Sequence, residues 1–336
     1  MTNFSYFRPG DLNSAIGDLI THEGAKFIAG GTNLLDLMKE NVERPARLVD
    51  INQLSFNSIE ETEGGGLRLG ALMTNADTAY HENVQNRYPL LSHAILAGAS
   101  AQLRNMATNG GNLFQRTRCY YFYDLATPCN KREPGSGCGA IRGFNRIHAI
   151  LGTSDQKPET ACIATHPSDM CVALAALDAV VRVTGLAGER TIPFADFHRL
   201  PGDEPWRDNT INPGELVTAI DLPAKGFPQY YAYIKLRDRA SYAFALVSVA
   251  VALEIENNRI TDARIALGGV AHKPWRKPDA EAMLIGQAVS VADFQSVAEA
   301  LTEGAKGYGH NTFKIELAKR AIVRALQQAA KLEPTP

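Results

Sequence analysis

The sequence predicts an α+β protein, and three observations carry that prediction. The first fifty residues alternate helix-like and strand-like segments as one small βαβ-like unit. No second run of parallel βαβ units follows it. Four strand-like segments then succeed one another near the C-terminus, ahead of three closing helix-like segments. A short antiparallel sheet carrying helices suits that order better than a doubly wound sheet. With 336 residues, a prior of about 100–200 residues per domain predicts roughly two domains with subdivisions. The expected parts are 1–55, 56–213 and 214–336.

Each element has its own signal. Residues 12–20 are amphipathic with helical spacing, 26–29 form a short apolar strand, 33–40 are helical and 47–51 are extended. Residues 56–75 alternate around Gly64-Gly65-Gly66, the mark of a hairpin. A helix is expected over 89–99, and TNGGNL at 108–113 interrupts the pattern. A long loop then runs to about residue 146. Residues 170–179 are apolar on nearly every side, which predicts a buried helix, and 179–192 read as a hairpin turning at 185–188. The Pro-, Asp- and Gly-rich stretch 199–213 reads as an interdomain linker. Strands are expected at 216–222, 230–236, 245–256 and 260–267, and helices at 277–285, 291–302 and 312–330.

Composition excludes several classes of function. A hydrophobic content of 45% with a net charge of -2 describes a globular protein and leaves no overall field that would draw it to nucleic acid or acidic lipid. Residues 1–11 lack a basic stretch followed by an apolar run, so no signal peptide is read. No stretch approaches the roughly 18 apolar residues of a membrane span. The chain is therefore expected to be soluble, and any export would depend on a partner. Five cysteines, an odd number in a chain this long, argue for thiolate chemistry or metal ligation over a disulfide framework.

Two glycine pairs stand out. Lys26, Phe27, Ile28, Ala29, Gly30, Gly31, Thr32, Asn33 and Leu34 set the first between a strand and a helix. Backbone N–H groups there can approach a diphosphate beside the positive end of the helix dipole. The plain alternative is a strand-to-helix turn with Thr32 or Asn33 as N-cap. The second pair, Gly110-Gly111, is framed by Thr108, Asn109 and Asn112. Two such loops can close on the two ends of one long ligand, or be two tight turns. Asp50 stands about where a Rossmann ribose-binding carboxylate would, but the G-x-G-x-x-G fingerprint is missing, so it reads as a strand-end turn residue. His166-Pro167-Ser168-Asp169 precedes the buried helix. Ser168 or Asp169 suits an N-cap there, and Asp169 alternatively suits a ligand hydroxyl. Cys171, within that helix, reads as a small core residue.

RTRCYYFYDLATPCNKREPGSGCGA, residues 116–140, is rich in aromatics and cations and nearly free of aliphatic residues. A loop this long is functional, disordered or held by something other than an apolar core. Cys119, Cys129 and Cys138 lie in it and Cys162 follows. Surrounding cations favour thiolates and offset the negative charge of a four-thiolate cluster. The spacings match neither the C-x₂₋₄-C of structural zinc nor the close-set ferredoxin run. A cluster, a zinc site, disulfides or separate thiols all remain open on spacing alone.

Taken together, KFIAGGTNLLDLMK at 26, QLRNMATNGGNL at 102, ATHPSDM at 164, KLRDRASYAFALVSVAVAL at 235 and GGVAHKPWR at 268 are specific. On them the chain resembles the FAD-binding medium subunits of the molybdenum hydroxylase (xanthine dehydrogenase) family, from about Phe4 to the last helix. Its cysteine loop is most similar to the [4Fe-4S]-containing FAD subunits of bacterial periplasmic aldehyde oxidoreductases. The resemblance implies a two-part FAD-binding domain of the vanillyl-alcohol-oxidase (PCMH) type, followed by a C-terminal α+β domain like that of CO dehydrogenase flavoproteins. It implies that residues 26–34 wrap the FAD diphosphate, with Thr108, Gly111 and Asn112 as the second loop. Asp169 would contact the ribityl or flavin side, and Lys235 would lie near the flavin. Cys119, Cys129, Cys138 and Cys162 would ligate the cluster, and Cys171 would not.

The implied role is an electron-transfer subunit of an aldehyde oxidoreductase. Aldehyde would react at a molybdenum cofactor on a large subunit, and electrons would pass through [2Fe-2S] centres of a small subunit to FAD and an external acceptor. No catalytic acid or base is expected in this chain. A stand-alone NAD(P)H-dependent flavin reductase and a zinc-stapled adaptor are the competing readings. The resemblance implies a periplasmic location reached by co-export on a signal-bearing partner, with the cytoplasm as the alternative.

Overall fold

The computed structural model describes residues 1–332, so 333–336 of the expected C-terminal part lie outside the described residues. Three sheets organise the chain. The first, in the order β1-β3-β2, is parallel and joins β1 (Ser5–Phe7), β2 (Ala25–Ile28) and β3 (Arg47–Asp50). The helix Leu12–Thr21 begins where the Asp11 carboxylate accepts the Ser14 N–H at 2.9 Å, and it buries Ala15 and Ile16. The helix Leu34–Lys39 connects β2 to β3. β1 has three residues, too few for a visible alternation, and was not expected from sequence.

The second sheet is antiparallel in the order β4-β5-β8-β6-β7. Its strands are β4 (Ile59–Glu61), β5 (Leu67–Gly70), β6 (Val180–Gly185), β7 (Gly188–Pro193) and β8 (Leu216–Leu222). The expected hairpins at Gly64–Gly66 and Gly185–Gly188 are both present. Leu216–Leu222 was expected to open the C-terminal part. It instead pairs with β5 on one side and β6 on the other, at the centre of this sheet. The boundary therefore falls after Leu222, and the stretch 199–213 is a surface connection between two strands of one unit. Linkers and long surface loops share the same Pro, Gly and Asp content, so composition did not separate them. Two short helices, Asn75–Tyr80 and Glu82–Arg87, fill what was expected to be connection.

The third sheet is a meander of β9 (Tyr230–Leu236), β10 (Val247–Glu256) and β11 (Arg259–Gly268). β10 is apolar on both faces because both are covered. Val247, Val249, Val251 and Leu253 pack beneath the C-terminal helices Val291–Thr302 and Phe313–Ala329. Ala250 and Ala252 face the other way and join the core of the second unit, against the buried helix Asp169–Ala176. The alanines let that helix approach the sheet closely. Its neighbour Pro89–Ala97 packs in the same layer. Among the described residues no helix is long and apolar enough to cross a membrane.

Candidate functional site

A cavity of about 1150 Å³ opens among the three units. Residues 26–34 form one wall as the chain leaves β2 and enters the helix Leu34–Lys39. Gly31 adopts a left-handed φ of +70°, which suits glycine. A Cβ on Gly30 would run into the Met106 carbonyl, so glycine there lets the two loops touch. The second loop is not irregular, as the break at TNGGNL had implied. It is the short helix Asn109–Leu113, with Thr108 as N-cap accepting the Gly111 N–H at 3.2 Å. Buried Asn109 and Asn75 support it from below through a 3.1 Å hydrogen bond, and Asn112 donates to the Asn75 side chain at 2.6 Å.

Every expected cofactor residue lines this cavity: residues 26–34, Thr108, Gly111, Asn112, Asp169 and Lys235. Asp169 and Lys235 are already partners. The Lys235 ammonium meets the Asp169 carboxylate at 2.8 Å and also donates to the Ala97 carbonyl at 3.1 Å, while Tyr233 donates to Asp169 at 2.6 Å. Burial and the adjacent Asp169 carboxylate keep the Tyr233 phenol well above its ordinary range. The N-cap of the buried helix is Ser168, which accepts the Cys171 N–H at 3.1 Å. Asp50 ends β3 as a turn residue, accepting the Asn52 N–H at 3.0 Å and pairing with Arg8 at 2.7 Å.

Sequence reasoning missed the charged part of the wall. Glu43 takes Lys26 and, at 2.7 Å, Arg116; Arg116 also reaches Asp208 at 2.9 Å. These partners lie far apart in sequence, and nothing local signals their meeting. The wall fits a long polar ligand. Glycine backbone is presented on both loops, and Arg104, which lines the cavity, keeps a buried Nε without a partner.

The four loop thiols meet elsewhere. Cys119, Cys129, Cys138 and Cys162 line one small enclosed pocket, all as free thiols, while Cys171 sits in the apolar core. Cys129 and Cys138 lie opposite each other in a short antiparallel bridge, and Cys162 pairs similarly with Ser154. The His148 ring approaches the Cys119 sulfur at 3.0 Å. Burial pushes the Cys119 and Cys138 thiols up and Cys162 to about 12, and the Lys131 ammonium counters the shift at Cys162. Backbone N–H groups of Ala140, Ile141 and Ile163 point at the Cys138 sulfur.

That donor set fits a metal cluster: four unlinked sulfurs, directed amides and a nearby cation. A tetrahedral zinc site with bonds of about 2.3 Å would bring its sulfurs to roughly 4 Å. Among the described residues, the set whose donor atoms close within 4.8 Å of one another is instead His166, Cys171 and His198.

Comparison with known proteins places this geometry. Residues 2–225 match the FAD binding domain in molybdopterin dehydrogenase, and 231–329 match the CO dehydrogenase flavoprotein C-terminal domain. The chain therefore belongs to the family of FAD-binding subunits of the molybdenum hydroxylases. It is 53% identical to the aldehyde oxidoreductase FAD-binding subunit PaoB of Escherichia coli, covering 98% of this chain and 99% of that one. The glyceraldehyde dehydrogenase medium chain of Sulfolobus acidocaldarius is 27% identical, with 97% and 98% covered. Among solved structures, reconstituted CO dehydrogenase from Oligotropha carboxidovorans matches with a TM-score of 0.76 at 25% identity over 99% of both chains. The fold class and family expected from sequence agree with these matches.

Proposed function

We propose that this chain is the FAD- and [4Fe-4S]-binding electron-transfer subunit of a molybdenum-dependent aldehyde oxidoreductase. It would work with a small [2Fe-2S] subunit and a large molybdenum subunit and deliver electrons to an external acceptor. One observation carries the reading. The residues assigned to FAD and those assigned to a cluster separate into two pockets, and no residue assigned to one lines the other. The 53% identity to an aldehyde oxidoreductase subunit supports the substrate class.

When bound, FAD supplies the exchange between one-electron and two-electron chemistry. This chain's own residues bind and orient. The glycine loops present N–H groups and room for a diphosphate, Arg104 Nε is an unpaired donor, and the Lys235–Asp169–Tyr233 cluster holds one wall. Cys119, Cys129, Cys138 and Cys162 would hold the cluster, with Cys171 left in the core. The same reading puts the complex in the periplasm, carried there by a signal-bearing partner, which cell fractionation checks.

Anaerobic purification with visible and EPR spectroscopy, flavin analysis and metal analysis tests the assignment. Bound FAD, about four irons for this chain beyond those of its partners and two companion subunits are expected. A colourless, iron-free chain that purifies alone would overturn it.

A further inference from the structure

The two pockets are joined by charge. Lys131 faces the thiol pocket with its side chain 1% exposed, and its ammonium donates to Asp208 at 2.5 Å and to the Pro205 carbonyl at 2.7 Å. The other oxygen of Asp208 takes Arg116 at 2.9 Å. Arg116 continues to Glu43 at 2.7 Å, and Glu43 ends on Lys26. Asp208, Arg116, Glu43 and Lys26 all line the flavin cavity. The row thus runs from one pocket to the other without a break. It also holds three cations against two carboxylates, so it is left with a positive charge for anionic groups at its ends.

A second path follows the same route. The Arg116 backbone N–H donates to the Asn33 side chain at 2.9 Å, tying the first residue of the cysteine loop to the glycine loop. Its guanidinium also covers the Phe122 ring at 4.8 Å, and Phe122 lines the thiol pocket. In a low-dielectric interior each ion in such a row is held by its neighbours, and removing one strands the next. Ordering the loop at its thiol end therefore positions Arg116 and Asp208 in the wall at the flavin end.

We propose that the ion-pair row Lys131–Asp208–Arg116–Glu43–Lys26, buried at its Lys131 end and open at Lys26, couples the two pockets, so that iron at the four thiols and FAD in the cavity strengthen each other's binding. This rests on the cofactor assignment above, and Lys131 acts in it as a positioning residue. Linkage requires the effect to be reciprocal, and couplings of this kind are typically about 5- to 150-fold.

The test measures FAD dissociation constants on the purified complex, iron-loaded and after anaerobic chelation, for wild type, Lys131→Arg and Lys131→Met. Iron removal is expected to weaken FAD binding about tenfold in wild type. Lys131→Arg keeps that difference, whereas in Lys131→Met the two forms bind FAD alike. A loop that merely sags when iron leaves would carry the same tenfold difference into Lys131→Met, and that result would overturn the proposal. Equal FAD affinity in loaded and stripped wild type would overturn it too. If Lys131→Met does not accumulate, Asp208→Asn breaks the row one step on and gives the same reading. Absence of flavin or iron from the wild-type complex defeats the cofactor assignment itself; both present without linkage defeats the coupling alone.

Discussion

The cysteine loop and the C-terminal unit are held together by opposite means. In the C-terminal unit β10 supplies Val249, Val251 and Leu253, and the helix Phe313–Ala329 lays Ala318, Ala321, Ile322, Ala325 and Leu326 over them, all nearly inaccessible to water. The loop buries only a small apolar cluster, Phe122, Ala140 and Ile163 with Leu37, and relies on polar contacts for the rest. Asn130 donates to the Pro158 and Ala161 carbonyls at 2.8 and 2.9 Å, Arg132 donates to those of Tyr121 and Phe122 at 2.7 and 2.9 Å, and Asn145 reaches the Tyr308 carbonyl at 2.6 Å. Buried Lys314 clamps the loop's exit by donating to the His148 and Gly269 carbonyls at 2.7 and 2.5 Å. Apolar burial is non-directional and tolerates small changes; a polar scaffold is directional, and each lost partner leaves a buried group unsatisfied. The loop therefore depends on its thiol centre in a way the C-terminal unit does not.

Cys129→Ser draws the contrast most sharply. It is expected to abolish iron binding of this chain and to open 116–162 to limited proteolysis, while the C-terminal unit keeps its protease resistance. Equal proteolysis of both regions would show that they stand or fall together. Leu326→Ala probes the other side: a core truncation at this site costs about 2–5 kcal/mol, read by chemical denaturation. Iron and flavin content per folded chain should not change. Gly30→Ala acts at the boundary between units. Its methyl would meet the Met106 carbonyl, and forced repacking of this kind costs about 1–3 kcal/mol. Reduced flavin retention with unchanged iron is the expected result, measured by flavin release on gel filtration.

What was legible in the sequence follows the same division. The long helix Phe313–Ala329, the hairpins and the buried helix carry their periodicity or turn residues locally, and they were anticipated within a few residues. The glycine loops and four cysteines were legible as motifs. Their grouping into two sets came from the family resemblance and not from spacing, which alone left zinc, disulfide and cluster open. Glu43 and Asp208 gave no signal, and Lys131 only that of one loop cation among several, since an ion pair spanning 77 residues leaves no pattern in either neighbourhood. β8 was assigned to the wrong sheet because a strand's sequence reports its burial and not its partners.

The gentlest probe is acid. His166, His198 and His272 are buried where the loop meets the 199–213 connection, facing Asp208, Lys131, Arg116 and Lys273. Burial holds His198 at about 4, His272 at about 3 and His166 well below its ordinary value near 6.5. Between pH 6.5 and about 4 the unfolded chain therefore takes up protons that the folded chain refuses. The unfolded state binds more protons across that window, so stability is full above pH 6.5 and declines as the pH falls, by up to about 1.4 kcal/mol per histidine per unit. Below the folded values the loss levels off. No histidine lies on β10, β11 or the two helices that cover them, so the loss should be local. Hydrogen exchange, corrected for its intrinsic pH dependence, is expected to show loop amides at 116–162 losing protection between pH 6.5 and 4.5 while β10 and β11 keep theirs. If β10 opened first, the polar scaffold would not be the weaker half, and the contrast between the two regions would have to be abandoned.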